Sequence, residues 1–78
     1  MKIKLDSGLV ENIKISGEYI KLDSLLKYAL IASSGGEAKM LIGDEQVFVN
    51  GNVCTERGKK IRSGDIIRFQ NRIIRIAD

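Results

Sequence analysis

The apolar positions of this chain change period along its length. Ile3 and Leu5 alternate with lysines, and Ile13 and Ile15 flank Lys14. Alternation by two is what a strand with one buried face requires. Ser7-Gly8 and Ser16-Gly17 are turn candidates in the same stretch. From residue 22 the spacing turns helical. Leu22, Leu25, Leu26, Ala29 and Leu30 fall at i, i+3, i+4, i+7 and i+8, which places them on one face of a helix. Lys21, Ser24, Lys27 and Tyr28 fall elsewhere, and Asp23 suits the positive end of the helix dipole.

Ser33-Ser34-Gly35-Gly36 interrupts this helix, and Ser34 with Glu37 three residues on forms a capping box that starts a second. Ala38, Leu41 and Ile42 share its apolar face, and Gly43-Asp44 closes it. After Glu45 the period returns to two. Val47 and Val49 flank Phe48, Asn50-Gly51 is a hairpin turn, and Val53 starts the return strand. Residues 57–60 form a basic loop, Ser63-Gly64-Asp65 a turn, residues 66–69 a strand, Gln70-Asn71 a turn, and Ile73 to Ile76 a closing strand. The expected architecture is α+β: a helix-turn-helix-like pair of short helices packed on a small antiparallel sheet.

The chain has 78 residues, which fits a single domain, expected here over residues 1–78. A chain of this length buries only about 60% of its unfolded surface. It has one cysteine and no histidine, which excludes an internal disulfide and a Cys/His zinc cage and removes the commonest general base. Cys54 is therefore expected to be structural. No run of about 20 apolar residues is present, so no membrane-spanning helix is expected. The first residues lack the apolar stretch of a secretory signal, and a lone thiol suits a reducing, cytoplasmic setting. No Gly-x-x-x-x-Gly-Lys-Ser/Thr loop frames a nucleotide. No cofactor is implied, and a binding role is favoured over an enzymatic one.

Charge sharpens this picture. The net charge is +3. It gathers at the C-terminal end, where Arg57, Lys59, Lys60, Arg62, Arg68, Arg72 and Arg75 face only Asp65 and Asp78. A stretch of this kind suits an anionic partner, nucleic acid or an acidic surface. It equally suits a solvated strand face. Ser33, Ser34, Gly35 and Gly36 sit at a helix start, where unpaired amides and a positive dipole end favour anions. The same residues suit a simple cap and tight turn.

Several motifs in order narrow the reading. Lys21-Leu22-Asp23-Ser24-Leu25-Leu26, then Ser34-Gly35-Gly36-Glu37-Ala38-Lys39, then Val47-Phe48-Val49-Asn50-Gly51, then Ile61-Arg62-Ser63-Gly64-Asp65-Ile66-Ile67 match a consensus without gaps. The chain resembles the ribosomal protein S-four-like RNA-binding domain, or alpha-L motif, over about residues 19–70. Lys21 stands where that family has a leading arginine, Gly35 where it has an arginine, and Leu30 where it has a glycine. Small freestanding bacterial members similarly carry Ser/Thr-Gly-Gly at the turn, and they look like the nearest relatives.

The resemblance implies non-enzymatic binding to structured RNA, with ribosomal RNA or a ribosome assembly intermediate as the target. It places the backbone of Ser33 to Gly36 and the side chains of Lys21 and Lys39 against RNA. The basic loop with Arg57, Lys59, Lys60 and Arg62 joins them on charge as well. Arg68, Arg72 and Arg75 are candidates to extend this surface. The aromatic residues are Tyr19, Tyr28, Phe48 and Phe69, too few for a base-stacking ladder, so shape and backbone recognition is expected. A second reading is a protein-interaction module that turns the same basic surface to an acidic partner. Duplex DNA is disfavoured, because the second helix offers little beyond Glu37, Lys39 and Met40 to read bases.

Overall fold

Each change of period along the chain becomes a change of secondary structure. The computed structural model describes residues 10–77. The strand expected around Ile3 and Leu5 and the Ser7-Gly8 turn lie outside the described residues. In chain order the elements are β1 (Val10–Lys14), β2 (Ile20–Lys21), α1 (Leu22–Tyr28), α2 (Gly35–Gly43), β3 (Val47–Val49), β4 (Asn52–Val53), β5 (Lys60–Ile61), β6 (Ile66–Phe69) and β7 (Arg72–Ala77).

Five strands form one sheet in the order β1-β7-β6-β3-β4, while β2 and β5 make a separate two-stranded ladder. From β4 to β7 all neighbours are antiparallel. At the far edge β1 runs parallel to β7, with Val10 opposite Ile73 and Lys14 opposite Ala77. The sheet is therefore mixed, where a purely antiparallel one was expected. The reason is topological. No hairpin joins β1 to β7, so no turn dictates their relative direction. The β3–β4 hairpin is as expected: Asn50 and Gly51 have φ of 52° and 87°, the two left-handed residues of a type I′ turn.

Strand alternation decides which side chains reach the core. Val47, Val49, Ile67, Ile74 and Ile76 are buried on one sheet face, while Arg68 and Arg75 are exposed on the other. The helices cover the buried face with Leu22, Leu25, Leu26, Ala29, Ala38 and Ile42, in one cluster that also takes in Ile61 and Cys54. Each fully buried leucine or isoleucine contributes roughly 1.5–3 kcal/mol relative to an exposed one. At the rim of this face the Arg72 guanidinium holds the Glu11 carboxylate bidentately, with Nη2–Oε1 2.6 Å and Nε–Oε2 2.7 Å. This contact ties β1 to β7. It also holds the Glu11 carboxyl below the usual carboxylate range.

Leu30 departs from the expected helical face. α1 ends at Tyr28, and Leu30 takes φ 61° with 85% of its surface exposed. The amides of Ile31 and Ala32 both donate to the Leu26 carbonyl, at 2.9 and 3.0 Å, so the chain turns sharply off the helix. A left-handed residue at a helix end is ordinarily glycine. That explains why the consensus has glycine at this position.

Candidate nucleic-acid interface

The basic loop is built on α1. No side chain caps this helix at Lys21. Its first amides are satisfied instead by the loop's backbone: the Leu22 N–H donates to the Lys59 carbonyl at 2.9 Å and the Asp23 N–H to the Arg57 carbonyl at 3.0 Å. Immediately beside this, the β2–β5 ladder pairs Ile20 with Ile61 and Lys21 with Lys60. Ile61 is fully buried and anchors the ladder in the core. The carbonyls of the loop are thus spent on the helix, while Lys21, Arg57, Lys59, Lys60 and Arg62 are all left exposed.

Arg62 is positioned by a second device. Its amide donates to Asp65 Oδ2 at 2.8 Å. Asp65 Oδ1 accepts from Asn50 Nδ2 at 3.1 Å, and Asn50 Oδ1 accepts from the Ile66 amide at 3.0 Å. The Asn-Gly and Gly-Asp-Ile motifs, far apart in sequence, are therefore one hydrogen-bonded strut between the β3–β4 hairpin and the turn that carries Arg62. Among the described residues, none of Lys21, Lys39, Arg57, Lys59, Lys60 and Arg62 has a carboxylate partner, since the one ion pair is Arg72 with Glu11. These cations are free to meet an external anion.

The second group surrounds the start of α2. Ser34 is the N-cap, and its Oγ accepts from the Glu37 amide at 3.1 Å. The reciprocal arm of the capping box shifts by one residue. Glu37 Oε1 accepts from the Ser33 amide at 2.6 Å and from the Ser33 hydroxyl at 2.8 Å. These bonds favour the charged form and hold the Glu37 carboxyl below the usual carboxylate range. A carboxylate of the chain itself thus lies against this helix start. Among the described residues, nothing accepts from the Gly35 and Gly36 amides. Neither glycine has positive φ, and a Cβ would meet nothing within 4 Å at Gly35 and only Ser34 Oγ, at 3.9 Å, at Gly36. Packing does not call for glycine at either place, although glycine lowers helix stability. Lys39 is exposed on the same helix.

The two groups share one unit, because α1 and α2 pack against each other. The arginines of the last strands do not extend it as one set. Arg72 is engaged with Glu11, and Arg68 stacks on Phe48 with its guanidinium carbon 4.5 Å from the ring centroid. Arg75 lies on the exposed face of β7. Tyr19, by contrast, joins the cationic group without having been singled out from sequence. Lys60 Nζ lies 5.0 Å and the Arg62 guanidinium carbon 5.9 Å from its ring centroid. Its signal in the sequence was only its place two residues before Lys21. Asp23 acts locally: its Oδ1 accepts from the Ser24 amide at 2.8 Å. Among the described residues no cluster of three His, Cys, Asp or Glu side chains could hold a metal ion.

Two short packed helices on a mixed sheet, with cations at the start of the first and a glycine turn at the start of the second, define an alpha-L-type domain. The S4 domain family matches residues 13–77, from β1 into β7, and the chain belongs to that family. It is 36% identical over 58 residues to the probable ribosome maturation protein RlbA of Bacillus subtilis (strain 168), across 74% of this chain and 82% of that one. In fold it is similar to the solution structure of YbcJ from E. coli, described as revealing an alfaL motif involved in RNA binding. That similarity has a TM-score of 0.64 at 27% identity and covers 90% of this chain and 87% of the other.

Proposed function

We propose that this chain binds structured RNA without catalysing a reaction, and that its target is ribosomal RNA or a ribosome assembly intermediate. The observation that carries the proposal is the group of cations around the start of α1. Their backbone is fixed by hydrogen bonds to the helix and their side chains have no carboxylate partner among the described residues. Lys21, Arg57, Lys59, Lys60 and Arg62 would meet phosphates directly. Lys39 and the backbone from Ser34 to Gly36 would form a second contact, with the glycines allowing close approach. The description of YbcJ supports RNA as the ligand, and the name of RlbA supports the ribosome as the setting.

The test is a fluorescence-anisotropy titration with a folded ribosomal RNA fragment over a salt series, run against duplex DNA of equal length. RNA should be preferred, and log affinity should fall with log salt. If all the named cations meet phosphates the slope approaches about −5. Absence of binding to folded RNA at low salt would sink the proposal. Capture of a protein partner that survives nuclease would then favour the protein-interaction reading.

A further inference from the structure

The chain contains two tyrosines, and the core uses neither. Tyr19 is 39% exposed and Tyr28 66% exposed. Both line one cavity of about 220 Å³, whose other walls are Ile15, Ile20, Ser16 and Lys14. The phenylalanines are placed differently: Phe69 packs against the core, and Phe48 is covered by Arg68. The Tyr19 ring belongs to two sites at once. It lines the cavity, and Lys60 and Arg62 sit over it at 5.0 and 5.9 Å. A strand whose phosphate rests on Lys60 or Arg62 therefore has its neighbouring base within reach of the cavity.

We propose that this cavity receives a single unstacked nucleobase of the bound RNA. The inference rests on the RNA-binding reading above and adds to it a requirement for a bulged or looped-out nucleotide beside the stem. The chemistry fits a base. Aromatic rings offer a stacking platform that any base can use. Ile15 and Ile20 supply apolar walls, and the Ser16 hydroxyl and the Lys14 ammonium can meet polar atoms at a base edge. A stem alone cannot supply this ligand, because its bases are paired and stacked. The site is thus one stacked base beside backbone contacts, not a ladder.

The experiment uses the full chain and two RNA hairpins in low salt. One carries a single bulged 2-aminopurine and the other is fully paired. The bulged hairpin should bind more tightly, and its 2-aminopurine fluorescence should change on binding as the base enters the aromatic cavity. Tyr19→Ala and Tyr28→Ala should each weaken binding to the bulged hairpin by about tenfold. Tyr28→Ala, whose ring touches none of the cations, should leave the affinity for the paired hairpin and the salt slope unchanged, and Tyr28→Phe should restore wild-type binding. Both rings are partly exposed, so the variants should keep the wild-type circular dichroism. Equal affinity of the wild-type chain for the two hairpins would overturn the proposal, as would Tyr→Ala variants that bind the bulged hairpin normally. Failure to bind either hairpin would overturn the RNA-binding reading itself.

Discussion

The loop at the start of α1 and the turn at the start of α2 solve the same problem in opposite ways. Each must satisfy the first amides of a helix. At α1 the donors go to backbone carbonyls, those of Lys59 and Arg57. No side chain is consumed, so every nearby lysine and arginine stays available. At α2 the donors go to side chains of the turn itself, with Ser34 on the Glu37 amide and Glu37 on Ser33. The second solution gives a well-capped helix but lays the Glu37 carboxylate against its start. The difference teaches that helix starts are not equivalent anion sites. What matters is which groups of the chain already fill the role of the anion.

The sharpest break of this comparison is charge reversal at the loop. Lys59→Glu with Lys60→Glu should weaken RNA binding by roughly a hundredfold at low salt and make the salt slope shallower by about two. Stability should change little, because the α1 cap uses the Lys59 carbonyl and not its side chain. Anisotropy titrations and a thermal melt read the two quantities separately. An unchanged affinity would remove the loop from the interface.

The turn should show the reverse profile, a larger effect on stability than on binding. Ser34→Ala removes the N-cap oxygen and should cost about 1 kcal/mol. For a domain of this size that lowers the melting temperature by roughly 4–8 °C. Arg57→Ala, on the loop, should cost within about 0.5 kcal/mol, since the cap there is a carbonyl that any residue supplies. On the connection between the two helices, Leu30→Gly should act in the opposite direction. It relieves a left-handed φ of 61° at an exposed leucine, and should raise stability by up to about 1 kcal/mol. A melting temperature lowered by this change would mean that the Leu30 side chain makes a stabilising contact.

How much of this was legible in the sequence depends on the range of the interaction. The helices were legible because Leu22, Leu25, Leu26 and Ala29 repeat with the helical period, and all are buried. The Asn50-Gly51 hairpin was legible because its turn chemistry is local. The parallel pairing of β1 with β7 was not, because no local turn encodes the direction of two strands at opposite ends of a chain. The β2–β5 ladder was also hidden: two-residue strands carry no period, and Lys21 and Lys60 meet only in the folded chain. The same long-range pairing brings Tyr19 to Lys60 and Arg62, so the aromatic part of the cationic group could not be read from spacing. The place of Arg72 was hidden for a related reason. Charge counting makes it a candidate for the basic surface, while strand alternation sets it with Ile74 and Ile76 on the core-facing side of β7, where Glu11 takes up its guanidinium.

The smallest expected effect is also the one that tests the comparison most directly. Glu37→Gln keeps the shape of the turn and removes its charge. If the carboxylate stands where a phosphate would bind, the variant should bind RNA a few-fold more tightly at neutral pH. Acidification should act on the wild type in the same direction. The Ser33 amide and hydroxyl hold the Glu37 carboxyl below the usual value of 4.5. Its contribution to stability is therefore present above that value and is lost as pH falls through the lower folded one. Over that acid window the wild-type chain should lose stability while the affinity gap between wild type and Glu37→Gln closes. Paired titrations of the two proteins from pH 7 down to the onset of unfolding read the gap. A gap that stays constant with pH would mean that the carboxylate does not oppose the RNA, and that the start of α2 is a cap and nothing more.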